Sequence, residues 1–269
     1  MQGDVFTLTR GSSPLLLSQP HAGLDVPASI ERRLTEAAKA LPDTDWHIHR
    51  LYQPMAKELD ATVLTARFSR YVIDLNRDPD GAPLYPGQSV TELCPTTLFD
   101  NSKLYQDGLE PDIEEIETRR GVFWQPYHDV LTEEIERIKA IHGYVLLYDC
   151  HSIRSVIPRF FDGRLPSLNI GTGDGISADA DLTESVENIA AASPYSHALN
   201  GRFKGGYITR HYGDPTTNIH ALQMELAQED YMQEETPFSY LPEKAAALQP
   251  TLKLILETML DFGRNRVVT

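Results

Sequence analysis

Residues 144–152 read Tyr144-Val145-Leu146-Leu147-Tyr148-Asp149-Cys150-His151-Ser152. The run from Tyr144 to Tyr148 is the clearest buried strand of the chain, and it breaks directly into Asp149 and His151. Apolar residues without alternation mean a strand covered on both faces, which is the habit of parallel and mixed sheets. Working outward, the same form recurs at residues 14–19 (PLLLSQ), which end at Pro20-His21-Ala22-Gly23. That is a second buried strand, delivering a histidine to a loop. Further strands are expected at 61–66, 71–75, 167–171, 206–210 and 220–226. Ile48, Leu51, Tyr52, Met55 and Leu59 fall at helical spacing after Asp43-Thr44-Asp45, whose carboxylates read as N-caps. Other helices are expected from Pro111 to Ile141, at 181–192 and at 240–262. Residues 78–108, rich in Pro, Gly, Asp and Thr, read as a long loop, and loops of that length are usually functional or mobile. Strands alternating with helices, without internal repeat or composition break, imply one α/β domain over residues 1–269.

The bulk composition narrows the partners. With 41% hydrophobic and 23% charged residues, the 269-residue chain has an ordinary globular balance. A net charge of −15 argues against nucleic acid or an anionic membrane as the main partner, since both need a basic surface. An anionic substrate would need a local cluster of arginines working against that field. The two cysteines, Cys94 and Cys150, exclude a disulfide framework and suit a reducing cytoplasm. The opening residues MQGDVFTLTRGSS lack the pattern of a signal peptide, and no apolar run reaches the roughly 18–20 residues of a membrane span. Oligomeric state is not legible.

Reactive groups in open α/β sheets gather at the carboxyl ends of strands. His21 and His151 are expected there, and Asp45 lies at the start of the following helix. Two imidazoles and one carboxylate form the donor set of hydrolytic zinc sites, in which a remaining position holds water. Spacing alone does not decide this, because the three residues are scattered and neither HExxH nor Cys-x-x-Cys occurs. A lone histidine after a strand is more often a hydrogen-bonded loop residue, and Asp45 can be a plain N-cap. Asp149 reads as a carboxylate that orients His151 or a neighbour. His47 and His49, two apart on a helix, point to different faces. Glu225, inside the apolar run 220–226, is a charge that burial makes costly unless it is paired or functional. It suits a general base, with a salt bridge to an arginine as the plain alternative. Arg70, Arg77, Arg154 and Arg210 fall near strand ends, where the guanidinium fork binds carboxylates through paired hydrogen bonds.

Several segments, in order, resemble the N-formylglutamate amidohydrolase (N-formylglutamate deformylase) family. They are Pro20-His21-Ala22-Gly23, Asp43-Thr44-Asp45-Trp46-His47, Ser69-Arg70-Tyr71-Val72-Ile73-Asp74-Leu75-Asn76-Arg77, Leu84-Tyr85-Pro86-Gly87-Gln88, Asp149-Cys150-His151-Ser152-Ile153-Arg154-Ser155, and Gly201-Arg202 through Arg210. The resemblance runs from about Pro14 to Met232. It implies a three-layer α/β/α sandwich with a mixed sheet, similar to the zinc exopeptidases. It implies a divalent metal, zinc first, on His21, Asp45 and His151, with Asp43 as the other candidate carboxylate. Glu225 takes the place of the catalytic glutamate. The implied reaction is hydrolysis of N-formyl-L-glutamate to L-glutamate and formate, in histidine degradation. By charge logic Arg154 is expected to aid the oxyanion and Arg70, Arg77 and Arg210 to bind the small anionic substrate, with Asn76 expected to bind it beside them. The rivals are an N-acyl amino acid deacylase or carboxypeptidase on the same fold, and a non-catalytic dicarboxylate-binding protein.

Overall fold

The apolar runs of residues 14–19 and 144–148 lie side by side at the centre of the sheet. The computed structural model describes residues 5–82 and 90–267. Among these, strands β1 (Phe6–Thr9), β2 (Leu15–Gln19), β3 (Thr62–Ala66), β4 (Val145–Ile153), β5 (Leu168–Gly171), β6 (His197–Leu199) and β7 (Ile219–Ala227) form one sheet, in the order β1-β3-β2-β4-β7-β5-β6. The pairs among β3, β2, β4 and β7 are parallel, as is β5 with β6. The β1–β3 and β5–β7 pairs are antiparallel, so the sheet is mixed. The helices are α1 (Ala28–Glu31), α2 (Glu36–Lys39), α3 (Ile48–Glu58), α4 (Ile113–Arg119), α5 (Gln125–His142), α6 (Ala180–Ala192), α7 (Tyr207–Tyr212) and α8 (Pro242–Val267).

The two faces of the sheet have different roles. Leu146, Tyr148 and Cys150 of β4, with Leu222, Met224 and Leu226 of β7, pack against α3, α6 and α8. On the opposite face Val145, Leu147 and Ala221 meet Tyr127, Leu131, Ile135 and Ile138 of α5, which completes the three-layer α/β/α sandwich. Alternation along a strand then places Asp149 and His151 on this second face, further along β4, and Gln223 and Glu225 beside them on β7. The face is therefore core for its first half and polar for its second. Helix α5 stops where Gly143, at φ 81, takes the left-handed conformation and donates its N–H to Lys139 O; the chain then turns into β4.

Most expected elements are present, with four differences. Residues 71–75 are not a strand but a buried turn, because Tyr71 and Val72 pack in a side cluster with Leu98, Leu104 and Tyr105 rather than in the sheet. Residues 207–212 form helix α7 where a strand was expected, with Gly206 at its N-cap. His151 lies inside β4, which runs on to Ile153, and not after its end. The N-cap of α3 is His47, without a side-chain cap bond, so neither Asp43 nor Asp45 caps that helix. The long helical stretch from 113 to 142 is continuous through a π turn at Arg120–Trp124. The Leu84–Gln88 motif lies outside the described residues. No helix among the described residues is long and apolar enough to cross a membrane.

Candidate active site

Strand β2 ends at Gln19 and delivers His21, while the adjacent β4 carries His151. Asp45 is tied to both: its backbone N–H donates to His21 O, and Ser152 N–H donates to its Oδ2 at 3.2 Å. Three ligand-type atoms converge as a result. His21 Nδ1 and His151 Nδ1 are 3.1 Å apart, and Asp45 Oδ2 lies 3.1 Å from the second and 3.7 Å from the first. Donors on a tetrahedral zinc, at bond lengths of about 2.1 Å, stand about 3.4 Å apart, so this triangle has the size that such an ion needs. Among the described residues, His21, Asp45 and His151 are the group of metal-ligating type. Asp45 Oδ1 is buried and accepts no hydrogen bond, a second mark of a donor set shaped for a cation.

The far side of each ring settles which nitrogen faces inward. His21 Nε2 lies 2.7 Å from Asp74 Oδ1, and His151 Nε2 lies 2.9 Å from Asp149 Oδ2. A carboxylate there takes the N–H, leaving the Nδ1 lone pair toward the centre, and makes the ring a stronger ligand. Asp74 also accepts from Arg70 Nη2 and from the backbone N–H of Asn76, each at 2.9 Å. Burial pulls the Asp74 carboxyl upward, but Arg77, His21 and Arg70 outweigh it and hold it well below the usual carboxylate range. Burial, with Arg70 beside it, lowers His21, which favours the neutral ligating form. At His151 burial acts in the same direction, yet Asp149 and Asp45 raise it well above an ordinary histidine. The two carboxylates thus draw positive charge to the centre, either a proton on His151 Nδ1 beside Asp45 or a cation in its place.

Glu225 faces His151 across the β4–β7 ladder and lines the same cleft, a depression of about 510 Å³. Burial pushes its carboxyl up to about 8, with the charge of His151 acting against that rise. A carboxyl poised near neutrality accepts and returns protons readily. The arginines lining the cleft are Arg70, Arg77 and Arg202, with Phe99, Phe160 and Phe203 as apolar wall. Arg70 is built in behind the donor triangle, between Asp74, His21 Nε2 and Asp43 O, with its guanidinium 4.9 Å from the centre of the Phe99 ring. Arg77 donates to Thr91 O, Thr91 Oγ1 and Asn76 O. Arg202 sits over the rings of Phe160 and Phe203.

The other expected residues are placed differently. Arg154 donates to Asp43 Oδ1 at 2.9 Å, and Asp43 also accepts from Tyr71 Oη and Phe99 N–H, so this pair braces the wall behind the donor triangle. Arg210 lies in α7 and donates to Gly205 O. Neither is among the residues lining the cleft. Asn76 contacts His151 Nε2 at 2.9 Å and Asp149 at 3.2 Å through its Nδ2, an orienting place as well as a cleft-lining one. His47 and His49 stay outside, with His47 Nε2 on Phe238 O. Behind the site, His128 Nε2 donates to Leu75 O at 2.8 Å and so pins the segment that carries Asp74 and Asn76. Sequence reasoning passed over Arg202 and Gln223. Arg202 stands in one of the family-like segments, whereas nothing in the sequence marks Gln223.

Residues 13–232 match the family model described as N-formylglutamate amidohydrolase. The chain belongs to that family. N-formylglutamate amidohydrolases are enzymes that act on a linear amide, and this chain is an enzyme of that class. It is 50% identical over 264 residues to the N-formylglutamate deformylase of Pseudomonas aeruginosa, covering 98% of each chain. It is 49% identical over 263 residues to that of Pseudomonas putida, covering 97% of this chain and 98% of the relative. In fold it is similar to the crystal structure of N-formylglutamate amidohydrolase from Ralstonia eutropha JMP134, with a TM-score of 0.82 at 23% identity over 97% of this chain and 98% of the other. A gene product of Agrobacterium tumefaciens has a TM-score of 0.74 at 18% identity, covering 96% of each chain.

Proposed function

We propose that this amidohydrolase removes the formyl group of N-formyl-L-glutamate, giving L-glutamate and formate, with a divalent metal held by His21, Asp45 and His151. The carrying observation is the donor triangle, in which each histidine turns Nε2 to its own buried aspartate and Nδ1 to the centre, with Glu225 alongside. When bound, a divalent ion such as zinc supplies Lewis-acid chemistry, acidifying water and polarising the amide carbonyl. Glu225 takes the proton of the attacking water and returns it to the amide nitrogen as the C–N bond breaks, so that the glutamate amine leaves neutral. Arg77 and Arg202 face the two substrate carboxylates, and Arg70 keeps Asp74 and Asp45 charged. The aromatic wall of Phe99, Phe160 and Phe203 limits water around the reacting amide.

The names of the Pseudomonas relatives and the arginine-lined cleft together favour the formyl dicarboxylate over other N-acyl amino acids. We place the step in histidine degradation on the family resemblance. The two buried, unpaired cysteines fit a reducing compartment, the cytoplasm, and the 269 residues act as one catalytic domain. The test is metal content together with formate release from N-formyl-L-glutamate, before and after chelation. Stoichiometric metal, activity lost on chelation and activity restored by metal are expected. Metal without formate release would move the substrate to another N-acyl amino acid, and formate release indifferent to chelation and metal content would remove the metal.

A further inference from the structure

Strand β7 carries a second polar side chain on the face of Glu225, two residues earlier. Gln223 is buried and lines the cleft beside Glu225. Its Oε1 accepts from the backbone N–H of Gly206 at 2.7 Å, and its Nε2 donates to Glu225 Oε2 at 3.2 Å. The orientation of this amide follows from its partners: a backbone N–H only donates, so the amide oxygen faces Gly206 and the NH₂ group faces Glu225. Gly206 is itself fixed. A Cβ there would lie 2.3 Å from Asn76 Nδ2, so no side chain fits. Asn76 accepts from Ile208 N–H through Oδ1 at 2.8 Å and reaches His151 and Asp149 through Nδ2. The turn 205–208 thus touches the metal-ligand side through Asn76 and the base through Gln223. On the opposite side, Asn169 Nδ2 donates to the backbone O of Glu225 at 3.0 Å and holds the strand.

We infer that Gln223 is a positioning residue for Glu225, fixing Oε2 so that Oε1 is presented to the attacking water. This rests on the reading of Glu225 as the proton carrier. A carboxylate turns easily about its last torsion, and one donor on one oxygen removes that freedom. An amide is suited to the task because it restrains the carboxylate without itself taking up the proton. The strut through Gly206 then sets the separation between Glu225 and the donor triangle.

Two substitutions separate this role from simple anchoring of the 205–208 turn. Gln223→Glu keeps an acceptor for Gly206 and, at a pH where the new carboxyl is ionised, removes the donor to Glu225, whereas Gln223→Met removes both and adds no charge. Positioning predicts that Gln223→Glu lowers kcat roughly 10- to 100-fold, with KM within about twofold of wild type. Gln223→Met lowers kcat comparably, and reads the same quantity where Gln223→Glu does not fold. In a Glu225→Gln background Gln223→Met causes no further loss, because the residue it acts through is already disabled. Wild-type kcat in Gln223→Glu, with loss confined to Gln223→Met, assigns Gln223 to the turn alone and overturns the inference. A further multiplicative loss in the double variant does the same. Full turnover in Glu225→Gln by itself instead brings down the role of Glu225, a failure distinguishable from the others.

Discussion

Mild acid should remove stability through His128, a residue away from the chemistry. Its ring is stacked on Trp124 at a centroid distance of 3.7 Å, with Nε2 on Leu75 O and Nδ1 2.9 Å from Tyr212 Oη. Burial is the main cause that pushes its pKa from 6.5 down to about 3. A group depressed in the folded state leaves stability whole above its unfolded pKa. Between 6.5 and about 3 the unfolded chain binds a proton that the folded chain refuses, so stability falls as pH falls, by up to about 1.4 kcal/mol per pH unit. From about pH 7 to about pH 5 the loss comes to about 2 kcal/mol. The assay is urea unfolding of wild type and His128→Gln at both pH values, since glutamine keeps a donor for Leu75 O. Other titrating groups are common to both proteins and cancel in the difference. The stability gap between wild type and variant should change by about 2 kcal/mol, against wild type, on acidification. A gap of the same size at both pH values refutes the argument.

Two further outcomes follow from the site. Asp74→Asn and Asp149→Asn leave each histidine a partner but remove its charge, and should weaken metal binding roughly 10- to 100-fold. Competition with a chelator of known affinity measures this, and undiminished affinity in both variants undoes the pairing argument. Arg202→Met should raise KM for N-formyl-L-glutamate roughly 10-fold or more, while Arg210→Met leaves it near wild type. Steady-state formate release ranks the two, and the reverse order would move carboxylate recognition to α7.

The parts of the molecule that sequence made legible are those in which local pattern and tertiary role agree. Unbroken apolar runs at β2 and β4 announced strands covered on both faces, and the polar residues closing those runs proved to be His21 and His151. Glu225 stood out as a charge inside an apolar strand, and its burial bears out that signal. Placement near strand ends grouped Asp45 with the histidines as a candidate donor set, and the family resemblance favoured that set where spacing alone does not decide. Tyr71, Val72 and Ile73 read as a strand because they are apolar and β-prone, but Tyr71 and Val72 are buried in a side cluster and Ile73 in the core against α5, none of them by strand pairing. Tyr207 to Arg210 looked like a strand for the same compositional reason, although the glycines before them allow a short helix to close over the sheet. Strands β1 and β6, of 4 and 3 residues and only partly buried, are too short to show a period. Nearness to strand ends marks Arg70, Arg77, Arg154 and Arg210 alike, and that criterion does not separate Arg70 and Arg77, which line the cleft, from Arg154, paired with Asp43, and Arg210, within α7. Gln223 gave no signal, since an uncharged amide in a strand carries no electrostatic oddity.

The face shared by β4 and β7 has a consequence for how this enzyme tolerates change. Val145 and Leu147 seat the sheet on α5, and the next two residues on that face are Asp149 and His151; Ala221 leads in the same way to Gln223 and Glu225. Folding and chemistry therefore depend on one alternation. A slip of a single residue in β4 would turn Cys150 into the cleft and carry His151 toward α8. Insertions or deletions within these two strands should therefore be purged in evolution as loss of both stability and activity, never of one alone. Length variation among relatives should gather instead in the connections that enter these strands.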